Sequence, residues 1–287
     1  MNPNIVILAG GISSRMRNTQ PGSDTLDCTL RRDAEVKSKS MIGVGRGNRP
    51  FFDYLLNNIS EAAYRHVVIV VGERDTSIRQ YYEEQGGAKQ FPKLQMAYVL
   101  QKIPSGRVKP LGTADALLCA LQTTHSWKGH KLTVCNSDNL YSVRALRLLL
   151  QDNHENAMID YDRSYMKFNQ KRIEQFAVTE KDQDGYLLDI VEKPSLDQIA
   201  QADNSSGRIG VSMNIFRFSY DCIYPYLEQV PLHPIRQEKE LPTAVKMMID
   251  QHPRSMFTIP LSEHVPDLTM QSDILEVKEY LQKELRG

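Results

Sequence analysis

The chain has 287 residues, enough for one large α/β domain or two small ones. Its 35 basic residues balance 35 acidic ones, so neither nucleic acid nor an acidic membrane surface is expected as a partner. Mean hydropathy is −0.43, no apolar run reaches the length of a membrane span, and the N-terminus has no basic region or cleavage site of a signal peptide.

Residues 5–9 read as a buried strand. It ends in Gly10 and Gly11, followed by Ile12, Ser13, Ser14 and Arg15. A glycine pair lets the backbone approach a ligand closely, small side chains leave N–H groups free, and Arg15 adds a positive fork. Phosphate oxygens are the natural ligand, although a strand followed by two glycines also occurs as a plain turn. The segment is neither a P-loop nor a dinucleotide fingerprint. Residues 18–37 are polar, charged and without periodicity. They read as a flap over a bound phosphate chain in preference to a solvated surface loop.

Next come a helix over 51–62 and a buried strand over 67–71. A helical stretch over 76–85 and an extended one over 94–100 follow. Residues 113–122 are helical, 132–135 a strand, 143–153 a helix and 157–161 extended. This alternation predicts an α/β fold with a mostly parallel, doubly wound, Rossmann-like sheet. The rhythm then changes. Residues 176–180 and 186–192 flank the turn signal Asp182-Gln183-Asp184-Gly185, which predicts a hairpin and a small antiparallel sheet. Residues 210–218 form an alternating strand, 220–227 and 241–250 helices, and 257–260 a short strand. Residues 271–285 form a closing amphipathic helix, apolar at Ile274, Val277 and Leu281. No linker or repeat divides the chain, so a single domain over 1–287 is expected.

Five further segments carry residues of interest. Lys39 precedes an apolar stretch and is by itself a plain surface lysine. Gln101 precedes Gly112-Thr113-Ala114-Asp115-Ala116; the amide could read a base edge, and Thr113 could equally be an ordinary helix cap. Ser137-Asp138-Asn139 ends a buried strand, at the edge where open parallel sheets bind ligands, and Asp138 suits Mg²⁺. Its plain reading is a turn. Glu192-Lys193-Pro194 offers an acceptor for sugar hydroxyls and a cation for phosphate. Asp267 stands before the last helix, either as a second metal carboxylate or as a helix-start residue.

In this order the segments resemble the sugar-1-phosphate nucleotidyltransferase family, nearest to glucose-1-phosphate thymidylyl- and uridylyltransferases. The resemblance spans roughly residues 4–275 and rests on Leu8-Ala9-Gly10-Gly11 with Arg15, Lys39, Gln101, the 112–116 motif, Ser137-Asp138-Asn139, Glu192-Lys193-Pro194 and Asp267-Leu268-Thr269. It implies the following roles. Leu8, Ala9, Gly10, Gly11, Gln101, Gly112 and Thr113 bind the nucleotide, with Gln101 and Gly112 at the base. Arg15, Lys39 and Asp138 are catalytic. Asn139, Glu192 and Lys193 bind the acceptor, and Asp138 and Asp267 hold Mg²⁺. Residues 1–160 are then mainly the nucleotide half and 161–287 mainly the sugar-phosphate half. Ser38 replaces a usual proline, Ala177 and Asn214 stand where glycines are common, and the Glu240-Leu241-Pro242-Thr243 segment lacks its usual Asp. These departures bear on the acceptor's identity more than on the nucleotide chemistry.

The implied reaction is attack of a sugar 1-phosphate on the α-phosphorus of an NTP, UTP or dTTP by preference, releasing pyrophosphate. The attacking phosphate is already an anion, since its second pKa is about 6, so no general base is required. Two rivals remain. A phosphocholine-like cytidylyltransferase would need a cage for a quaternary amine, for which Tyr161, Tyr165 and Phe168 are candidates. A non-catalytic nucleotide-sugar sensor would bind without turnover. Cys28, Cys119, Cys135 and Cys222 form no CxxC pair; Cys119 and Cys135 read as small buried residues, and a reduced, cytoplasmic protein is expected. A homo-oligomer is left open.

Overall fold

The computed structural model describes residues 2–11, 16, 26–202 and 207–284. Strand β1 (Asn4–Ala9) is buried along its whole length. Helix α1 (Cys28–Val36) follows, capped by the Asp27 carboxylate, which accepts from Leu30 N at 2.9 Å. This helix lies inside the stretch expected to be a flap. Its apolar stripe is only Leu30 and Ala34, and its third buried residue is Asp33, whose carboxylate accepts from Gly43 N at 3.2 Å and pairs with Lys37. A carboxylate on the inner face erases the 3.6-residue pattern, so the helix was hidden from periodicity. Residues 18–25 of that stretch lie outside the described residues.

Helix α2 (Phe51–Glu61) starts directly after Pro50, whose fixed φ suits a helix entrance. Strand β2 (His66–Gly72) leads to α3 (Ser77–Arg79), which continues as a π-helical turn over Gln80–Glu84. Then come β3 (Gln95–Gln101), α4 (Thr113–Thr123), β4 (Lys131–Asn136), α5 (Val143–Gln151) and β5 (Ala157–Asp162). A short α6 (Gln170–Ile173) precedes the hairpin of β6 (Val178–Lys181) and β7 (Leu187–Val191). The chain closes with α7 (Leu196–Gln201), β8 (Gly210–Ser219), α8 (Tyr220–Gln229), α9 (Leu241–Gln251), β9 (Phe257–Leu261) and α10 (Asp273–Glu284).

The strands form one sheet in the order β3-β2-β1-β4-β8-β5-β9, with the hairpin joined to β8 through Val178 and Val211. β1, β2, β3 and β4 are parallel, β5 and β9 are parallel to each other, and β8 runs antiparallel between β4 and β5. The sheet is therefore mostly parallel, as expected. The antiparallel hairpin is an extension of it, and its tip also bridges to β9 at Tyr186 and Phe257.

β1 is apolar on both faces because both are covered. Ile5, Ile7 and Ala9 join a core with Phe51, Leu55, Leu146 and Leu149 from α2 and α5. Val6 and Leu8 join a second core with Leu117, Ile223 and Val245 from α4, α8 and α9. The chain runs outward from β1 to β2 and β3, then returns to the other side of β1 as β4. Beyond the carboxyl ends of β1 and β4 lies the crevice that such a reversal opens. Among the described residues no helix is long and apolar enough to cross a membrane. All four cysteines are free; Cys135 is buried as expected, whereas Cys119 is only half-buried and Cys28 is exposed.

Candidate active site

A cleft of about 210 Å³ opens at that crevice. Leu8, Ala9, Gly10, Gly11, Lys39, Gln101, Gly112, Thr113 and Asp138 all line it, so nine predicted residues meet there. Register brings β1 and β4 together: Leu8 lies beside Asn136, and Ser137 N donates to Leu8 O at 3.1 Å. Lys39 opens a short 3-10 turn (Lys39–Met41) and pairs with the Asp138 carboxylate. Arg15 lies outside the described residues.

Two glycines in the cleft are sterically required. A Cβ on Gly10 would stand 2.6 Å from Gln101 Oε1. Gly112 has φ 108°, a region L side chains rarely adopt, and a Cβ there would stand 2.7 Å from Lys239 O. Gln101 explains their spacing. It is 2 % exposed, and its Nε2 donates to Gly112 O at 2.9 Å and to the Asp115 carboxylate at 2.8 Å. With both amide hydrogens engaged, what Gln101 can still present is its carbonyl oxygen. Thr113 does not cap its own helix, for which Gly112 is the N-cap. Its hydroxyl accepts from Leu241 N at 2.9 Å, so it caps the entrance of α9 instead. Thus the 112–114 turn and the 238–241 segment brace each other, and Ala114 N donates to Lys239 O at 3.0 Å.

Asp267 reaches the same edge by backbone pairing. Asn139 and Asp267 face each other in an antiparallel bridge, with Leu140 N donating to Pro266 O at 2.9 Å and Leu268 N to Asp138 O at 2.8 Å. Burial and the neighbouring Asp138 charge push the Asp267 carboxyl up, while Arg172 and Thr269 oppose the shift. Arg172 Nη2 lies 2.7 Å from Asp267 Oδ2, and the Thr269 hydroxyl donates to Oδ1 at 2.6 Å. Asn139 is buried, and its Oδ1 accepts from the Tyr141 hydroxyl at 3.3 Å. Among the described residues no group of three or more His, Cys, Asp or Glu side chains forms a metal cage. Mg²⁺ takes few protein ligands and completes its shell with phosphate oxygens and water, which suits Asp138; Asp267 does not line the cleft but borders a separate pocket with Phe168 and Glu276.

Glu192 and Lys193 are exposed beyond the end of β7 and do not line the cleft. Glu192 is tied to it through Arg236, which lies 3.3 Å from Glu192 and 2.6 Å from Glu240. Burial, together with Glu192, raises the Glu240 carboxyl, and Arg236 counters it. The same loop carries Glu238, which lines the cleft and pairs with Lys109 at 2.5 Å. Asn214 has φ 54°, a left-handed conformation that asparagine tolerates in place of glycine.

Lys109, Glu238, Arg236 and Arg172 escaped the sequence reading. Lys109 had one signal, its position inside the Gln101–Gly112 interval; the pairs Lys109–Glu238, Arg236–Glu192, Arg172–Asp267 and Arg172–Asp273 had none, because they span 44 to 129 residues. The aromatic cage is not assembled. Tyr161 is wholly buried in the core, and the Phe168 ring already carries the Arg172 guanidinium at 4.4 Å.

A family model described as nucleotidyl transferase matches residues 34–267 of the chain. Among solved structures, a UDP-glucose pyrophosphorylase complexed with UDP-glucose is similar with a TM-score of 0.70 at 15% identity, over 99% of this chain and 100% of that one. A UTP-bound UGPase from Acinetobacter baumannii is similar with a TM-score of 0.67 at 17% identity, over 98% of this chain and 93% of that one. At such identities the likeness is one of fold.

Proposed function

Because this chain belongs to the nucleotidyl transferase family, we propose that it transfers a nucleotidyl group from an NTP to a sugar 1-phosphate, releasing pyrophosphate. The observation that carries this reading is the Asp138–Lys39 pair at the crevice, set beside Gly10 and Gly11 and opposite the segment bearing Asp267. UTP and glucose 1-phosphate are the first substrates to test, with dTTP next, because similar folds are described with UTP and UDP-glucose.

The chemistry follows from charge. The acceptor phosphate attacks the α-phosphorus as an anion, so the protein must position it and neutralise the triphosphate. No histidine lines the cleft among the described residues, consistent with chemistry that needs no general base. The amides of Gly10 and Gly11 approach the phosphates, and Lys39 exchanges the Asp138 carboxylate for phosphate oxygens. Asp138 would hold Mg²⁺, which when bound supplies positive charge to the departing pyrophosphate. Gly112 and the Gln101 carbonyl border the base. On the acceptor side, Glu192 binds sugar hydroxyls and Lys193 the sugar phosphate. The whole chain acts as one catalytic domain, residues 1–160 serving mainly the nucleotide and 161–287 mainly the acceptor.

Pyrophosphate release across ATP, CTP, GTP, UTP and dTTP, each with several sugar 1-phosphates and with phosphocholine, tests the proposal. The expected result is release that requires both a pyrimidine NTP and a sugar 1-phosphate. Tight binding of a nucleotide sugar without release in any pairing would make the chain a sensor.

A further inference from the structure

The turn that carries Lys39 (Lys39–Met41) is tied down at its entrance through a backbone N–H that a proline would lack. Ser38, which replaces a usual proline, is buried, and its N donates to Ser77 Oγ at 3.1 Å. The Ser77 hydroxyl gives its own hydrogen to Asp75 Oδ1 at 2.7 Å, and Ser77 N donates to the same oxygen at 2.8 Å. With its hydrogen committed, Ser77 Oγ presents lone pairs to Ser38. Asp75 N in turn donates to Gly72 O at 3.0 Å, at the end of β2. Gly72 packs so closely on β1 that a Cβ there would stand 3.0 Å from Gly10 O. A run of contacts thus leads from Lys39 to Gly10 through Ser38, Ser77, Asp75 and Gly72. The far side of the turn is held separately, Gly43 N donating to Asp33 Oδ2 at 3.2 Å.

Ser38 has φ −57°, and Lys37 before it has φ −96° and ψ 162°. These are angles that a proline fixes at its own position and imposes on its predecessor. The chain therefore holds a proline-like entrance by a hydrogen bond, where a proline would hold it by its ring. We propose that Ser77 is a positioning residue for Lys39: by accepting from Ser38 N it fixes the turn from which Lys39 reaches the Asp138 carboxylate and the triphosphate. This rests on the reading that Lys39 acts on the triphosphate. The two ways of holding the turn exclude each other. A proline Cδ takes the place of the amide hydrogen at position 38, and Ser77 Oγ already stands there.

Three variants of the full chain test this: Ser77→Ala, Ser38→Pro and the two combined. Two readouts are taken, amide exchange over residues 39–43 and kcat/KM for the NTP, from pyrophosphate release with the substrate pair that turns over fastest. Ser77→Ala should speed the exchange and lower kcat/KM by about tenfold, the upper end of what one hydrogen bond contributes. Ser38→Pro alone should be at least as poor, because its ring meets Ser77 Oγ. The combined variant should recover most of both losses, since the ring then fixes φ with no hydroxyl in its way. Ser77→Thr, which keeps the hydroxyl, should resemble the wild type. If Ser77→Ala does not fold, Ser77→Cys, whose sulfur is a weak acceptor, takes its place as the single variant. A purely structural tie would speed exchange and leave kcat/KM at the wild-type value, which overturns the role toward Lys39. Unchanged exchange in the single variant, or a combined variant no better than it, overturns the tie itself. Lys39→Met separates the proposal from the reading beneath it. If that variant keeps wild-type kcat/KM, or the wild type turns over no NTP, the reading of Lys39 fails, and exchange alone decides the tie. If Lys39→Met loses activity while Ser77→Ala keeps it, only the role of Ser77 is wrong.

Discussion

The two ends of the sheet solve the problem of charge differently. On the β3-β2-β1-β4 side the strand interiors are mainly apolar, and the predicted site residues Gly10 and Asp138 sit just past the strand ends, where Lys39 reaches Asp138 from the turn after α1. On the β8-β5-β9 side charge lies inside the strands. Asp160, in the middle of β5, is 1 % exposed and carries both Lys181, at 3.0 Å, and Arg208, with the Thr179 hydroxyl donating to it. Arg217 in β8 is 3 % exposed, and burial lowers its pKa. A charge beyond a strand end can exchange partners with a ligand. A charge sealed within strands is fixed and contributes to holding β5, β6 and the start of β8 together. Exchangeable and fixed charges are thus separated along one sheet.

Four substitutions test this division, ordered by expected effect. Asp160→Ala strands two cations in a poorly solvated place and should destabilise the fold by about 3–5 kcal/mol. Denaturant unfolding checks it, and stability equal to the wild type would show that the inner charges hold nothing. Asp138→Asn should do the reverse, lowering turnover by about 10²–10³-fold while the melting temperature barely changes, since its partner Lys39 reaches solvent. A large loss of stability would place Asp138 among the cohesive charges instead.

Gly112→Ala forces a side chain into φ 108° and against Lys239 O. It should cost about 1–3 kcal/mol of stability and weaken NTP binding together, because the strained turn is part of the cleft. Calorimetric NTP titration beside thermal melts reads both, and an effect on stability alone would separate the turn from binding. Lys193→Ala, on an exposed residue, should leave stability unchanged within about 0.5 kcal/mol and raise KM for the sugar phosphate far more than for the NTP. Initial-rate measurements with each substrate varied in turn decide it; a rise confined to the NTP would move Lys193 to the nucleotide side.

Much of this division could be read before the fold was known. Strands β1, β2 and β4 are nearly continuous apolar runs ended by glycine or by Ser137-Asp138, so both their burial and the edge that carries the candidate site were legible. The hairpin was equally clear, because Asp182 and Gly185 mark a turn whatever surrounds it; Asp182 Oδ1 accepts from Tyr186 N at 2.8 Å across it. Helix α1 was not legible, because Asp33 faces inward. Nor were the partners of the site residues. Thr113 looked like a cap for the helix it begins, and only the approach of Leu241 redirected its hydroxyl.

Residue type and local spacing alone determined where β-structure and helices alternate and which strand ends carry glycines or carboxylates; that these segments belong to nucleotidyl transfer came from their resemblance to a family. Those features depend on interactions within a few residues. Tertiary structure alone decided that Gln101 spends its amide hydrogens on Gly112 and Asp115, that Arg172 fastens Asp267, and that Arg236 reaches Glu192. Each joins residues that periodicity cannot pair, because a hydrogen bond or ion pair depends on distance in space, and only the packed sheet brings those side chains within reach.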